Sequence, residues 1–314
     1  MSKVRVALIG CGGRGKGHFR ILESFEDVEL AALCDPVDES REAAAQEFGI
    51  ETQYTSVDDL LDAGIDAVVV ATPAYLNGKV ALPCIERGVH TLIEKPPGLT
   101  VDETRGLKDA ADKSGAKVII GWNRRFHPVI VQAREQVLER GPITQLVGEF
   151  HKSITRIADS GIFPREFLDQ MLLETPIHSI DTLRFLAGAD VEEAHGVSRR
   201  SMSAYRDVHA ALVLFENGVI AQCIHNYTTD ARLERYEIHG HDISAYMEGV
   251  HSGEVFVHGE SHPIEKGPTN GTEEQNRFWI DCIKNDRPVG LPAANLDEAI
   301  KTMELATSIL GNTK

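Results

Sequence analysis

The stretch Val4-Arg5-Val6-Ala7-Leu8-Ile9-Gly10-Cys11-Gly12-Gly13-Arg14-Gly15 decides the fold of this chain. Its apolar run does not alternate with polar residues, which predicts a parallel strand buried on both faces. The run ends in G-x-G-x-x-G. In that pattern Gly10 makes the tight turn out of the strand, Gly12 lets the backbone approach a pyrophosphate, and Gly15 lets the following helix pack closely on the sheet. The N-terminus of that helix offers unsatisfied N–H groups and the positive end of its dipole to phosphates. A second strand, Val28-Glu29-Leu30-Ala31-Ala32-Leu33-Cys34-Asp35, closes on an acid 20 positions after Gly15, where a carboxylate can accept hydrogen bonds from ribose hydroxyls. Strand, motif, helix and acid together predict a dinucleotide site built from Gly10, Gly12, Gly13, Arg14, Gly15 and Asp35. The expected cofactor is NAD, because Asp35 repels a 2′-phosphate and Pro36-Val37-Asp38 places no arginine beside it. Arg14 is the one loop cation with a chance of reaching such a phosphate, so NADP is not excluded.

The 314 residues suffice for two domains with sizeable cores. Lys and Arg number 32 against 48 Asp and Glu, a net charge of −16 that opposes binding to nucleic acid or to anionic membranes. No apolar run approaches the ~20 residues of a membrane span. The chain enters its first strand at once, which leaves no room for a signal peptide, and its five cysteines form no C-x-x-C pair. A reducing cytoplasm is the expected compartment. No His, Cys and carboxylate set has metal-ligand spacing, so no metal is expected.

From residue 1 to 121 strands and helices alternate, as in a Rossmann-type doubly wound parallel sheet. Further strands are expected over 65–72, 89–94 and 116–121, with helices ending at Gly88 and at Gly115. Beyond residue 122 the pattern changes. A helix over Pro128–Arg140, a strand over Thr144–Lys152 and a helix starting near Pro176 precede a run of strands with short turns. Asn217-Gly218 is the strongest hairpin signal in that run. Two helices, near 273–285 and 296–310, close the chain. The expectation is an α/β protein: a dinucleotide-binding domain over 1–121, and an α+β domain over 122–292 with a large, mostly antiparallel, open-faced sheet. The helix near 293–311 is expected to pack back on the first domain. Strands 210–215 and 219–224 carry apolar residues on both faces, which predicts a homodimer or homotetramer assembled through that sheet.

A second motif places Glu94-Lys95-Pro96 at the end of a parallel strand, about twenty residues after Thr72-Pro73. Ligands in this architecture bind beyond the carboxyl ends of the strands. With these elements the sequence resembles the glucose-fructose oxidoreductase / inositol dehydrogenase / MocA (Gfo/Idh/MocA) family. The matching pieces are G-x-G-x-x-G-x-x-H (Gly10, Gly12, Gly15, His18), A-T-P (Ala71–Pro73), E-K-P (Glu94–Pro96), N-R-R-F (Asn123–Phe126) and acid-x-x-x-His-x-x-Asp (Glu174, His178, Asp181). The resemblance implies an NAD(P)-dependent dehydrogenase or reductase of sugars, inositols or related polyols. By the same resemblance Thr72, Pro73, Glu94 and Lys95 lie at the cofactor, Lys95, His178 and Glu174 are catalytic, and Asn123, Arg124 and Asp181 join them at the substrate. The chain departs from the family in carrying Glu174 and Pro176 where Asp and Gly are usual, a longer acid on a stiffer backbone.

The residues themselves support this chemistry. Thr175-Pro176 reads as an N-cap followed by proline at the first helical position, which sets His178 in the first turn. There the helix dipole disfavours the imidazolium, as a general base for hydroxyl oxidation requires. Lys95 would stabilise alkoxide charge on the substrate oxygen, while Glu174 positions the hydroxyl or His178, and Asp181 orients His178 or touches the substrate. The expected activity is hydride transfer between nicotinamide and a secondary hydroxyl or ketone. The rivals are an NAD-dependent glycosidase working by transient oxidation, and a noncatalytic dinucleotide-binding regulator.

Overall fold

A computed structural model describes residues 3–267 and 269–311. Two compact units divide the chain, one of residues 1–122 with 272–300, the other of residues 123–271 with 301–314.

The first unit follows from its apolar runs. It contains β1 (Val4–Ile9), α1 (Gly13–Glu23), β2 (Val28–Cys34), α2 (Asp38–Phe48), β3 (Gln53–Tyr54), α3 (Val57–Leu61), β4 (Ala67–Val70), α4 (Asn77–Glu86), β5 (His90–Ile93), α5 (Val101–Ser114) and β6 (Val118–Ile120). The six strands form one parallel sheet in the order β3-β2-β1-β4-β5-β6. Every residue of β4 and all of β1 except Arg5 are buried, as the unalternated apolar pattern demands of strands covered on both faces. The order reverses between β1 and β4, and ligands bind at that crevice in doubly wound sheets.

Local chemistry sets the ends of α5. The Thr100 hydroxyl accepts from the Glu103 N–H at 3.0 Å, and the Glu103 carboxylate accepts from the Leu99 N–H at 2.7 Å, a reciprocal cap. Gly115 ends the helix at φ +77°, a conformation that costs an L side chain roughly 1 kcal/mol.

The second unit contains α6 (Pro128–Arg140), β7 (Gln145–Ser153), α7 (Ile154–Asp159), α8 (Arg165–Leu168), α9 (Ile177–Ala187), β8 (Val191–Arg199), β9 (Val208–Phe215), β10 (Ile220–Asn226), β11 (Thr228–Gly240), β12 (Ile243–Glu248), β13 (Ser252–Val257) and β14 (Glu260–Pro263). Short 3₁₀ turns occupy Asn123–Phe126 and Met171–Leu173. The strands make one eight-stranded sheet in the order β14-β13-β12-β11-β7-β10-β9-β8. All its neighbours are antiparallel except β7 and β10, which run parallel. Burial alternates along β9, where His209, Ala211, Val213 and Phe215 are buried, and along β12, where Ile243, Ala245 and Met247 are buried. Helix α6 covers this face over β11–β13, and α9 covers it over β7 and β10. The opposite face presents Leu212, Ile220 and Tyr246, each more than 40% exposed in the single chain.

Two helices close the sequence, α10 (Thr272–Lys284) and α11 (Leu296–Gly311). Helix α10 packs on α1 in the first unit, where Arg277 grips the Asp27 carboxylate with two bonds of 2.8 and 2.9 Å. The unit boundary cuts α11 after residue 300. Its later turns lie against β8, where a Cβ on Gly196 would sit 2.8 Å from the Ile309 Cα. Among the described residues no helix is long and apolar enough to cross a membrane.

Candidate active site

In the first unit the predicted cofactor residues gather at the carboxyl ends of β1, β2, β4 and β5. Gly10 turns out of β1 at φ +93°, and a Cβ there would lie 2.5 Å from the Ala71 carbonyl oxygen. Gly15 packs against the same turn, where a Cβ would stand 2.2 Å from the Gly10 carbonyl oxygen. At Gly12 and Gly13 a Cβ would meet nothing within 4 Å, so this face of the loop is open to a pyrophosphate. Helix α1 starts there with no side-chain cap and no acid in its first turn, leaving its N–H groups for an anion. These residues fit a dinucleotide. Asp35 follows β2, its two carboxylate oxygens accepting from the Cys11 N–H at 2.8 Å and the Val37 N–H at 2.9 Å.

Glu94 and Lys95 follow β5. Glu94 is 4% exposed, and its carboxylate meets Arg14 Nε at 2.5 Å and His18 Nε2 at 2.9 Å. The other ring nitrogen of His18 lies 3.0 Å from Asn276 Oδ1. Burial alone would raise the Glu94 carboxyl, but the Arg14 charge, the His18 hydrogen bond and the Lys95 ammonium hold it well below the usual carboxylate range. Arg14 is therefore engaged with Glu94.

In the second unit the predicted residues cluster about the start of α9. His178 is the second residue of that helix and 5% exposed. The cap differs from the sequence expectation: Pro176 holds the N-cap position, and the Thr175 hydroxyl turns away to hydrogen-bond the Glu174 carboxylate. The hydroxyl proton goes to the adjacent carboxylate in a charge-assisted bond. Lys152, near the end of β7, lies 3.5 Å from both Glu174 Oε2 and Thr175 Oγ1. Asp181, one turn along α9 from His178, is fully buried. Arg125 grips it through bonds of 2.9 and 2.7 Å, and Thr302 Oγ1 adds a contact at 3.2 Å. Breaking such a buried pair costs ~3–5 kcal/mol, so it anchors α9. Arg124 is paired with Glu234 at 3.1 Å through two nitrogens, and Asn123 donates to the Asn270 carbonyl at 3.1 Å.

Three polar groups escaped the sequence reading. Arg41, on the first turn of α2, donates to the Asp35 carbonyl at 2.7 Å and to Asp38 Oδ1 at 2.6 Å. Asn77, 1% exposed, opens α4 beside the Glu94-Lys95-Pro96 turn. Lys152 becomes a candidate only through its proximity to Glu174, because the strand pattern of β7 carries no sign of it. Among the described residues no group of three His, Cys, Asp or Glu side chains could hold a metal ion.

The buried face of the sheet also holds His209 and His225, cross-strand partners on β9 and β10. Burial pushes His209 down to about 4 and, with the two neighbouring histidines, His225 down to about 3. Both are neutral in the folded chain at pH 5, whereas their unfolded counterparts titrate near 6.5. The unfolded state therefore binds more protons, and stability is lost as pH falls from about 6.5 toward the folded values. By pH 5 each histidine costs ~2 kcal/mol. A His225→Leu variant should lose that much less stability than the parent between pH 6.5 and 5 in urea melts. Parallel losses in the two proteins would refute the assignment.

Two family models match the chain, one described as an oxidoreductase family with an NAD-binding Rossmann fold over residues 4–122. The other, the GFO/IDH/MocA C-terminal domain, matches residues 139–246. The chain is 29% identical over 266 residues to a scyllo-inositol 2-dehydrogenase (NAD(+)) of Bacillus subtilis (strain 168), covering 81% of this chain and 74% of the relative. It is 26% identical to a D-apiose dehydrogenase of Paraburkholderia graminis, covering 97% and 86% respectively. Among solved structures, an aldose-aldose oxidoreductase of Caulobacter crescentus complexed with glycerol superposes with a TM-score of 0.87 at 22% identity, covering 99% of this chain and 97% of that one. At that identity the likeness bears on the fold.

Proposed function

Because the chain belongs to the Gfo/Idh/MocA family of NAD-binding oxidoreductases, we propose that it moves hydride between a nicotinamide cofactor and a secondary hydroxyl or ketone of a sugar, inositol or related polyol. The observation that carries the reading is the Glu94-Lys95-Pro96 turn. It sets Lys95 just past the carboxyl end of β5, directly after Glu94, whose carboxylate is bound by Arg14 of a glycine loop open to a pyrophosphate. The nicotinamide, when bound, supplies the hydride acceptor or donor. Lys95 donates a hydrogen bond to the substrate oxygen and stabilises its alkoxide character. His178 takes the hydroxyl proton in the oxidative direction. Glu174, held by Lys152 and Thr175, positions a hydroxyl. Asp181 is given to anchoring α9 through Arg125, since both its oxygens are engaged.

A screen of inositols, sugars and sugar alcohols against NAD and NADP, followed by absorbance of the reduced cofactor, tests this. Reduced cofactor should accumulate in step with substrate consumed. A chain that binds NADH yet reduces neither cofactor with any of them defeats the reading. Hydrolysis of a glycoside without release of reduced cofactor would favour transient oxidation instead.

We further assign NAD as the preferred cofactor. The Asp35 carboxylate is bound to the Cys11 N–H of the loop, where it would face the ribose of a bound dinucleotide, and the Arg41 guanidinium is committed to Asp38 and to the Asp35 carbonyl. A 2′-phosphate therefore meets a fixed negative charge and no unengaged arginine in that turn. kcat/KM should favour NAD by at least ~1.4 kcal/mol, a factor of about ten. A tighter dissociation constant for NADPH than for NADH overturns the assignment.

The open sheet face supports a homo-oligomer in a soluble, cytoplasmic protein. Leu212, Ile220 and Tyr246 share that face with Leu214, Val147 and Phe256. An apolar area of this kind is uncommon on a monomer. Light scattering should return a multiple of 34.5 kDa, and Ile220→Lys should lower it. A mass of one chain at micromolar concentration refutes the proposal.

A further inference from the structure

We propose that Asn77 is a positioning residue for Lys95, one that fixes the backbone carrying the ammonium and acts on catalysis through it alone. The proposal rests on the catalytic reading of Lys95. Asn77 is the first residue of α4 and 1% exposed. Its amide nitrogen lies 2.8 Å from the Glu94 carbonyl oxygen, 3.3 Å from that of Lys95 and 3.3 Å from that of Pro96. Its amide oxygen accepts from the Thr72 hydroxyl at 2.9 Å.

These contacts determine the amide orientation. The flipped amide would set an oxygen against three carbonyl oxygens, so the nitrogen must face them. One N–H serves Glu94 and the other is shared between Lys95 and Pro96. Three successive carbonyls turned toward one side chain mean that the backbone curls around it. The Cα of Lys95 is thereby tied to α4 and, through Thr72, to the end of β4.

Two further contacts remove slack. A Cβ on Gly78 would lie 2.5 Å from the Pro97 carbonyl oxygen, so the first turn of α4 rests directly on the turn that Lys95 belongs to. On the side-chain side, Arg14 and His18 hold the Glu94 carboxylate. Catalytic groups tolerate errors of only ~0.5 Å, and the β5 ladder ends at Ile93, two residues before Lys95. Asn77 adds a constraint on the backbone beyond that point.

The test compares Asn77→Asp, Asn77→Ser and Lys95→Met in the full chain with NAD and a turned-over polyol. Asn77→Asp keeps the shape but replaces the donors with a carboxylate. Its kcat should fall about tenfold to a hundredfold, with KM and the NADH dissociation constant within about threefold of the parent. Its kcat relative to the parent at the same pH should recover as the pH is lowered, because a protonated carboxyl regains one donor. Asn77→Ser, which retains one hydroxyl donor, should fold and lose less. In a Lys95→Met background Asn77→Asp should leave the residual rate unchanged, the signature of action through one residue. A purely structural role would lower the melting temperature, leave kcat per folded molecule unmoved, and overturn the proposal. So would Asn77→Asp at the parental rate beside an inactive Lys95→Met. Lys95→Met at the parental rate would instead overturn the reading on which the proposal rests.

Discussion

Lys95→Met is expected to lower kcat about a thousandfold while the NADH dissociation constant moves by less than about threefold. Methionine retains the unbranched stem, so packing changes little and the loss is that of the charged donor. A donor aimed at oxygen that gains charge in the transition state contributes ~2.7–4 kcal/mol, which sets the size of the effect. The neighbouring carboxylate does not confuse the result. Lys95 acts on Glu94 less than Arg14 and His18 do, and both of those still bind the carboxylate in the variant. Steady-state kcat and a fluorescence titration of NADH separate catalysis from binding. Retention of more than a tenth of kcat would limit the ammonium to less than ~1.4 kcal/mol and remove it from the mechanism.

His178→Ala should cost about a hundredfold to ten-thousandfold in the oxidative direction and flatten the acid limb of its pH profile. A base must be deprotonated to accept the hydroxyl proton, so the parental rate falls with falling pH, and the variant loses that dependence. The fold should tolerate the change, because α9 is anchored elsewhere. Asp181 and Arg125 form a buried bidentate pair, and Ile177, Ile180, Leu183 and Leu186 are buried along the same helix. The comparison is log kcat/KM against pH for both proteins. Parallel curves displaced only in height would assign His178 to packing and leave the proton to another group.

Much of the fold was legible because local and global signals agree. Helix α6 starts at its proline and ends before Gly141, and α5 lies between a threonine cap and Gly115, as their residues dictate. Strand β8 was invisible, because its half-exposed Val-Glu-Glu-Ala-His sequence at the sheet edge lacks a buried alternation. The parallel pairing of β7 with β10 was also hidden, since they lie far apart in the chain and register carries no local mark. The glycine loop and Asp35 stood out by their spacing, and Glu94 and His178 by the motifs that carry the family resemblance. Asn77 did not, because its partners are main-chain carbonyls about twenty residues downstream, and any sequence supplies carbonyls. Arg41 was passed over because it is six positions beyond Asp35 and reaches back from a helical turn.

The interleaving of the two units has a consequence for synthesis on the ribosome. Residues 1–122 emerge first, yet their unit is completed only by residues 272–300. Until Asn276 and Ala294 are made, one nitrogen of His18 lacks its partner, and the Ile120 N–H lacks the Ala294 carbonyl to which it donates at 2.9 Å. At about 5–20 residues per second the intervening residues 123–271 take about seven to thirty seconds to translate. Throughout that interval the nascent nucleotide unit displays an uncovered apolar flank where Trp279 and Ile280 will later be buried. Folding of residues 1–122 is thus clocked by translation of residues 272–300, and stalled chains of increasing length probed with protease would show protection of residues 1–122 arriving only after residue 294 clears the exit tunnel.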